Sequence, residues 1–254
     1  MQIPIEIDMY GEQIRGIIHI PKYSSYSNRI YVMCYGYNGD MCEVHRITRK
    51  FGMICEEKGC ILVRFDYRGH GHSNGNSSEI LFDRKVDDTE AVMNFVEGCM
   101  GKKCNFTLIG FSDGAKIAIE VMKRKSVKKL ILWNPILNME SVSKIYNNQH
   151  GKVKRIYTDI MTGKRVTNLF GLSICLKYLN EIMKINKEDE LLQCEQTVIC
   201  IWGGNDNYTR QLRELVLRQM NINISSEVIE GAAHLFGKEN HQKELFRITL
   251  EEKE

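Results

Sequence analysis

At 254 residues, with 43% hydrophobic and 26% charged side chains, the chain sits near the globular average, which excludes a largely disordered polypeptide and a membrane-embedded one. Lys and Arg number 35 against 32 Asp and Glu, a formal charge of +3, too small an excess to mark a nucleic-acid binder. A chain of this length buries roughly 70–75% of its unfolded surface, so it needs no disulfide or metal staple.

The first residues, MQIPIEIDMYGEQIRG, have neither a basic start nor an apolar stretch of signal-peptide length. The longest apolar runs, such as CILV and LILW, are too short to span a bilayer. A cytoplasmic chain without a membrane span is therefore expected. The 9 cysteines are odd in number and none forms C-x-x-C. They are expected to be reduced thiols, mostly buried as small hydrophobes.

Two alternating runs, IPIEIDMY and IRGIIHIP, flank GEQ and predict an antiparallel hairpin. RIYVMCYG is a short apolar strand. Residues 41–59 follow with helical spacing at Met41, Val44, Ile47, Phe51 and Ile54. CILVRFD predicts a strand, residues 84–102 a helix, CNFTLIGF a strand, DGAKIAIEVMKRK a helix and KKLILWNP a strand. Near the C-terminus come TVICIWGG (strand), YTRQLRELVLRQM (helix), ISSEVIEG (strand) and HQKELFRITLEEK (helix). Continuously apolar strands alternating with helices predict an α/β fold: a mostly parallel sheet covered on both faces, with the antiparallel hairpin at one edge. Ligands of such sheets bind at the carboxyl ends of the strands.

Residues 136–192 break the alternation and are too long for an ordinary connection. They predict a cap of short helices inserted between two parts of one core, 1–135 and 193–254. From Leu172 onward, Leu172, Leu176, Leu179 and Met183 recur at helical spacing, and Ile174, Tyr178 and Ile185 form a narrower second stripe. The broader stripe predicts that Leu176 and Leu179 line a substrate pocket. Which stripe faces the site stays open.

The segment richest in chemistry is Gly110-Phe111-Ser112-Asp113-Gly114, a G-x-S-x-G between a predicted strand and a predicted helix. A sharp turn there exposes the Ser hydroxyl beside the free N–H groups of a helix N-terminus. Other strand ends carry Tyr35-Gly36-Tyr37-Asn38-Gly39, the run from Asp66 through Arg68 and His70 to Ser73, Gly203-Gly204-Asn205-Asp206, and Gly231-Ala232-Ala233-His234. His70-x-His72 suggests a metal, but no carboxylate or Cys cluster completes a site, so none is predicted. The basic run KRKSVKK sits at a helix C-terminus, where cations complement the dipole and stay solvated. Trp133 and Trp202 fall in buried strands. There is no P-loop and no G-x-G-x-x-G, so no nucleotide cofactor is implied.

These motifs, in this order, resemble the α/β-hydrolase superfamily over nearly the whole chain. The likeness is strongest to small capped serine esterases and acyl hydrolases, such as cinnamoyl and feruloyl esterases and monoglyceride-lipase-like proteins. The resemblance implies Ser112 as nucleophile, Asp206 as triad acid and His234 as base. It also implies an oxyanion hole made of the N–H groups of Tyr37 and Asp113. Tyr35 stands where the family usually has His, which leaves the donating backbone untouched. The loop from Asp66 is expected to brace the site, through an Asp66–Arg68 pair or through Arg68 and another carboxylate. The expected function is cofactor-free hydrolysis of small to medium carboxylic esters. Thioester and small-peptide or amide hydrolysis use the same triad and stay open. A non-catalytic ligand-binding protein is a third reading, against which the intact Ser112, Asp206 and His234 count.

Overall fold

The structure, a computed structural model, describes residues 1–21, 29–140, 142–143, 155–169, 172–219 and 221–251. β1 (Gln2–Met9) and β2 (Glu12–His19) form the expected antiparallel hairpin across Tyr10 and Gly11, both at positive φ. Then follow β3 (Ile30–Cys34), α1 (Ile47–Glu57), β4 (Ile61–Phe65), α2 (Phe82–Met100), β5 (Phe106–Phe111), α3 (Gly114–Arg124) and β6 (Val127–Trp133). The stretch after β6 holds β7 (Ile156–Thr158), β8 (Arg165–Leu169), β9 (Leu172–Cys175), α4 (Leu176–Lys184) and α5 (Glu188–Leu192). The chain closes with β10 (Thr197–Gly203), α6 (Arg210–Arg218), β11 (Ile224–Ile229) and α7 (Glu239–Leu250).

The main sheet has 8 strands in the order β1-β2-β4-β3-β5-β6-β10-β11. Every pair from β4 to β11 is parallel, and β2 joins β4 antiparallel. β3 and β4 are buried along their whole length, which is why they read as unbroken apolar runs. Their side chains still alternate between two cores. Ile30, Val32 and Cys34 face the layer formed by α2 and α3, while Tyr31 and Met33 face the layer of α1 and α7. All nine cysteines are free thiols, Cys99 exposed, Cys42 half-buried and the rest buried. Among the described residues no helix is long and apolar enough to cross a membrane.

Three expectations change. The helix read over 41–59 begins only at Ile47, because Glu43, His45 and Arg46 take positive φ (55°, 57° and 56°) and no α-helix passes through them. The last predicted helix ends at Leu250, and Lys253 lies outside the described residues. The insertion is not helices alone. β7, β8 and β9 make a separate antiparallel sheet, and the predicted helix from Leu172 starts at Leu176 because Leu172–Cys175 pair with β8. Its buried face is Tyr178 and Ile182, continuing from the buried Ile174 of β9, whereas Leu176 and Leu179 are half-buried and Met183 is exposed. Residues 141, 144–154 and 170–171 of the insertion lie outside the described residues.

Candidate active site

Ser112 stands in the sharp turn between β5 and α3 with φ at +54°, a left-handed conformation a non-Gly residue holds only when its surroundings impose it. Its N–H donates to the Trp133 carbonyl at 2.9 Å, and its own carbonyl accepts from Ile136 N–H at 2.9 Å. The two flanking glycines are steric requirements. A Cβ on Gly110 would lie 2.6 Å from Ala115 Cα, and one on Gly114 would lie 2.2 Å from the Cys34 carbonyl oxygen. The motif therefore lets β5, α3 and the end of β3 approach closely enough to lift the hydroxyl clear of the sheet.

Ser112, His234 and Asp206 meet in one hydrogen-bonded chain. Ser112 Oγ is 2.9 Å from His234 Nε2, and His234 Nδ1 is 2.7 Å from Asp206 Oδ2. Asp206 is buried, and its carboxylate also accepts from Tyr208 N–H at 2.9 Å and Thr209 Oγ1 at 2.8 Å. Those donors fix the carboxylate, and the carboxylate fixes the imidazole tautomer with Nδ1–H toward Asp206 and Nε2 free to accept from Ser112. The His234 ring is held between Phe111, stacked at 5.9 Å, and Tyr208, edge-on at 5.5 Å.

Asn134, just after β6, ties the two loops that carry His234 and Asp206. Its Nδ2 donates to the His234 carbonyl at 2.8 Å, and its Oδ1 accepts from Gly203 N–H at 2.6 Å. It is fully buried at φ +41°. Local sequence pattern does not mark it as part of the site. The only signal was an Asn before Pro135 at a strand end, since Asn tolerates the left-handed region.

The N–H groups of Tyr37 and Asp113 find no protein acceptor among the described residues. The loop bearing Tyr37 is anchored by Glu43, whose Oε1 accepts from Gly36 N–H at 3.0 Å. Burial pushes the Glu43 carboxyl up to about 7. Tyr35 is wholly buried, its ring 4.5 Å from that of Tyr67 and its hydroxyl accepting from Tyr67 N–H, so it forms no part of the pocket wall. Arg68 pairs with Asp88 at 2.6 Å, the second of the two pairings considered, while Asp66 accepts from Met41 and His72 N–H.

A cavity of about 890 Å³ opens over Ser112. Its acidic and histidine lining is Asp40, Glu43, His45, Asp206 and His234, with no Lys or Arg among the described lining residues. From the segment after β6 it takes Ile136 and Val142. Leu176 and Leu179 are not brought to it. Leu176 lines a separate cleft with Glu79, Lys164 and Lys184, and Leu179 packs half-buried against the core. The expectation for these two leucines fails because α4 turns the other stripe, Tyr178 and Ile182, inward.

Sheet order, the Ser112 turn and the strand-end loops together define an α/β-hydrolase. The chain belongs to the family described as serine aminopeptidase, S33, whose model matches residues 27–247. No curated protein matches the sequence. Among solved structures it is similar to Est1E from Butyrivibrio proteoclasticus with ferulic acid bound, at 18% identity over 97% of this chain and 98% of that one, TM-score 0.75. It is also similar to an esterase from Pyrococcus furiosus (17% identity, 98% of this chain and 89% of that one, TM-score 0.73). A third likeness is to an alpha-beta serine hydrolase homologue from Coxiella burnetii (20% identity, 97% and 94%, TM-score 0.66). At these identities the likeness speaks for the fold.

Proposed function

We propose that the protein is a serine hydrolase that cleaves carboxylic esters of small to medium size through an acyl-enzyme. The observation that carries the reading is the continuous chain Ser112 Oγ to His234 Nε2 at 2.9 Å and His234 Nδ1 to Asp206 Oδ2 at 2.7 Å, beneath an open cavity. A Ser hydroxyl is a weak nucleophile at neutral pH and needs an adjacent base. His234 takes its proton as Oγ attacks the ester carbonyl, and Asp206 stabilises the imidazolium. The oxyanion develops beside the N–H groups of Tyr37 and Asp113, each worth about 3–4 kcal/mol in comparable sites. His234 returns the proton to the leaving alcohol, and a water then repeats the sequence to release the acid. No step calls for a metal or cofactor.

The likeness to two esterases supports an ester substrate, and the absence of Lys and Arg from the described lining disfavours anionic substrates. The family description keeps amide hydrolysis as the competing reading. One preparation assayed on p-nitrophenyl esters, acyl thioesters and aminoacyl amides separates the three, with esters expected to be turned over fastest. A fluorophosphonate probe should label Ser112, and Ser112→Ala should abolish labelling and turnover without lowering Tm. Labelling of another serine would overturn the assignment, and a wild-type protein that is never labelled would be a ligand-binding member of the fold.

A further inference from the structure

Two lysines of the core are withdrawn from water: Lys85 on α2 is 1% exposed and Lys116 on α3 is 0% exposed. Neither moves a proton in the reaction above. A buried ammonium is costly unless other groups replace its hydration. For Lys85 the replacement is a cage of rings. Nζ lies 5.1 Å from the Tyr67 ring centroid, 5.2 Å from that of Tyr178 and 6.0 Å from that of Tyr35. The same ammonium donates to the Tyr37 carbonyl at 3.5 Å. Lys116 Nζ pairs with Asp113 Oδ1 at 2.9 Å and donates to the Ile182 carbonyl at 3.2 Å.

The two lysines thus reach Tyr37 and Asp113, the residues whose N–H groups form the proposed oxyanion hole. Both also touch α4, Lys85 through the Tyr178 ring and Lys116 through the carbonyl of Ile182, one helical turn on. Tyr178 in turn stacks on Tyr37, with centroids 5.8 Å apart and planes 7° from parallel. Among the described residues the Tyr178 and Tyr37 hydroxyls have no hydrogen-bond partner, so the rings, not their polar ends, make these contacts.

We infer that Lys85 and Lys116 are positioning residues that hold the two oxyanion donors against α4. The insertion helix then sets the geometry of the oxyanion hole and acts on rate, not on acyl preference. The inference rests on the serine-hydrolase reading. Its physical basis is that the donors sit on separate loops, one after β3 and one after β5, and each is tied through a charged side chain to the same helix. Cation–π contact with three rings holds Lys85, and the Lys116–Asp113 ion pair, with its 3.2 Å bond to the Ile182 carbonyl, gains strength where water is excluded. Burial lowers Lys85 to about 8, against Asp113, Glu43 and Asp88, which favour its charge. The other titratable groups facing it are His70, which Lys85 helps keep neutral, and the phenols of Tyr35, Tyr37, Tyr67 and Tyr178. Lys85 is therefore charged below about pH 8, and the brace loosens as pH rises through that value.

The test measures the rate of fluorophosphonate labelling of Ser112, and kcat and KM for short and longer acyl p-nitrophenyl esters, from pH 6 to 10. Lys85→Met and Lys116→Met should each lower labelling and kcat by about ten- to a hundredfold, the loss that a misplacement of about 1 Å carries, with KM little changed. The loss should be equal for every acyl length. Wild type should lose activity above about pH 8, and Lys85→Met should lack that limb. Tyr178→Phe, which keeps the ring, should retain the rate that Tyr178→Leu loses. If a lysine variant does not fold, the wild-type alkaline limb and the Tyr178 pair decide alone. Wild-type rates in Lys85→Met and Tyr178→Leu, a loss that varies with acyl length, or a flat wild-type profile above pH 8 would overturn the brace. Failure of the wild type to label at all would instead overturn the hydrolase reading.

Discussion

Replacing Asn134 should damage stability and catalysis together. Its side chain bridges the loop of Asp206 and the loop of His234, through Gly203 N–H at 2.6 Å and the His234 carbonyl at 2.8 Å, beside the His234–Asp206 bond itself and the Asn205 N–H to Ala232 carbonyl bond at 2.8 Å. In Asn134→Ala both partners lose that bond in a site where Asn134 itself is 0% exposed. An unsatisfied buried backbone group costs about 1–3 kcal/mol, so the two together cost about 2–5 kcal/mol after partial relaxation. At about 2–4 °C per kcal/mol for a chain of this size, Tm should fall by about 5–15 °C. The positive φ adds strain for Ala, since Asn tolerates the left-handed region better. Asn134→Asp separates the two bonds. It keeps an acceptor for Gly203 N–H but sets a carboxylate oxygen against the His234 carbonyl, so its kcat should fall by up to about a hundredfold through displacement of the imidazole. Thermal melts and initial rates on one p-nitrophenyl ester read both effects. An Asn134→Ala protein with wild-type Tm and wild-type kcat would refute the bridge.

Three further outcomes follow from the same geometry. Asp206→Asn keeps the fold but reverses the hydrogen-bond preference at His234 Nδ1, and kcat should drop by about 10⁴ in a steady-state assay, as in other triads; a drop below tenfold would contradict its role. The Glu43 carboxyl is raised to about 7, above its ordinary value of 4.5, so the stability it contributes is fully present below pH 4.5 and is lost as pH rises to about 7. Glu43→Gln should therefore gain Tm relative to wild type between pH 5 and 8, and a pH-independent difference would refute the burial argument. Val142 lines the cavity over Ser112 and Leu176 does not, so Val142→Ala should shift the short-to-long acyl ratio of kcat/KM by up to about tenfold while Leu176→Ala leaves it unchanged.

What sequence alone determined about this protein is what short-range chemistry dictates. Unbroken apolar runs such as those of β3 and β4 signal strands covered on both faces, and the sheet has them there. Glycines at 110 and 114 mark a turn too tight for a Cβ, and the contacts at 2.6 and 2.2 Å give the reason. Strand ends in the order Ser112, Asp206, His234 were visible because the carboxyl edge of a parallel sheet gathers its loops wherever they lie in the chain. The tertiary structure decided whatever depends on a partner far away in sequence. Helical spacing around Leu172 carried no information about pairing with β8, nor about which of two apolar stripes α4 turns inward, which packing settled as Tyr178 and Ile182 and not Leu176 and Leu179. Asn134 meets Gly203 and His234 only once β6 and β10 lie side by side. Lys85 and Lys116 look like ordinary surface lysines until α2, α3 and α4 close over them, because burial and a cage of rings belong to packing, not to local pattern.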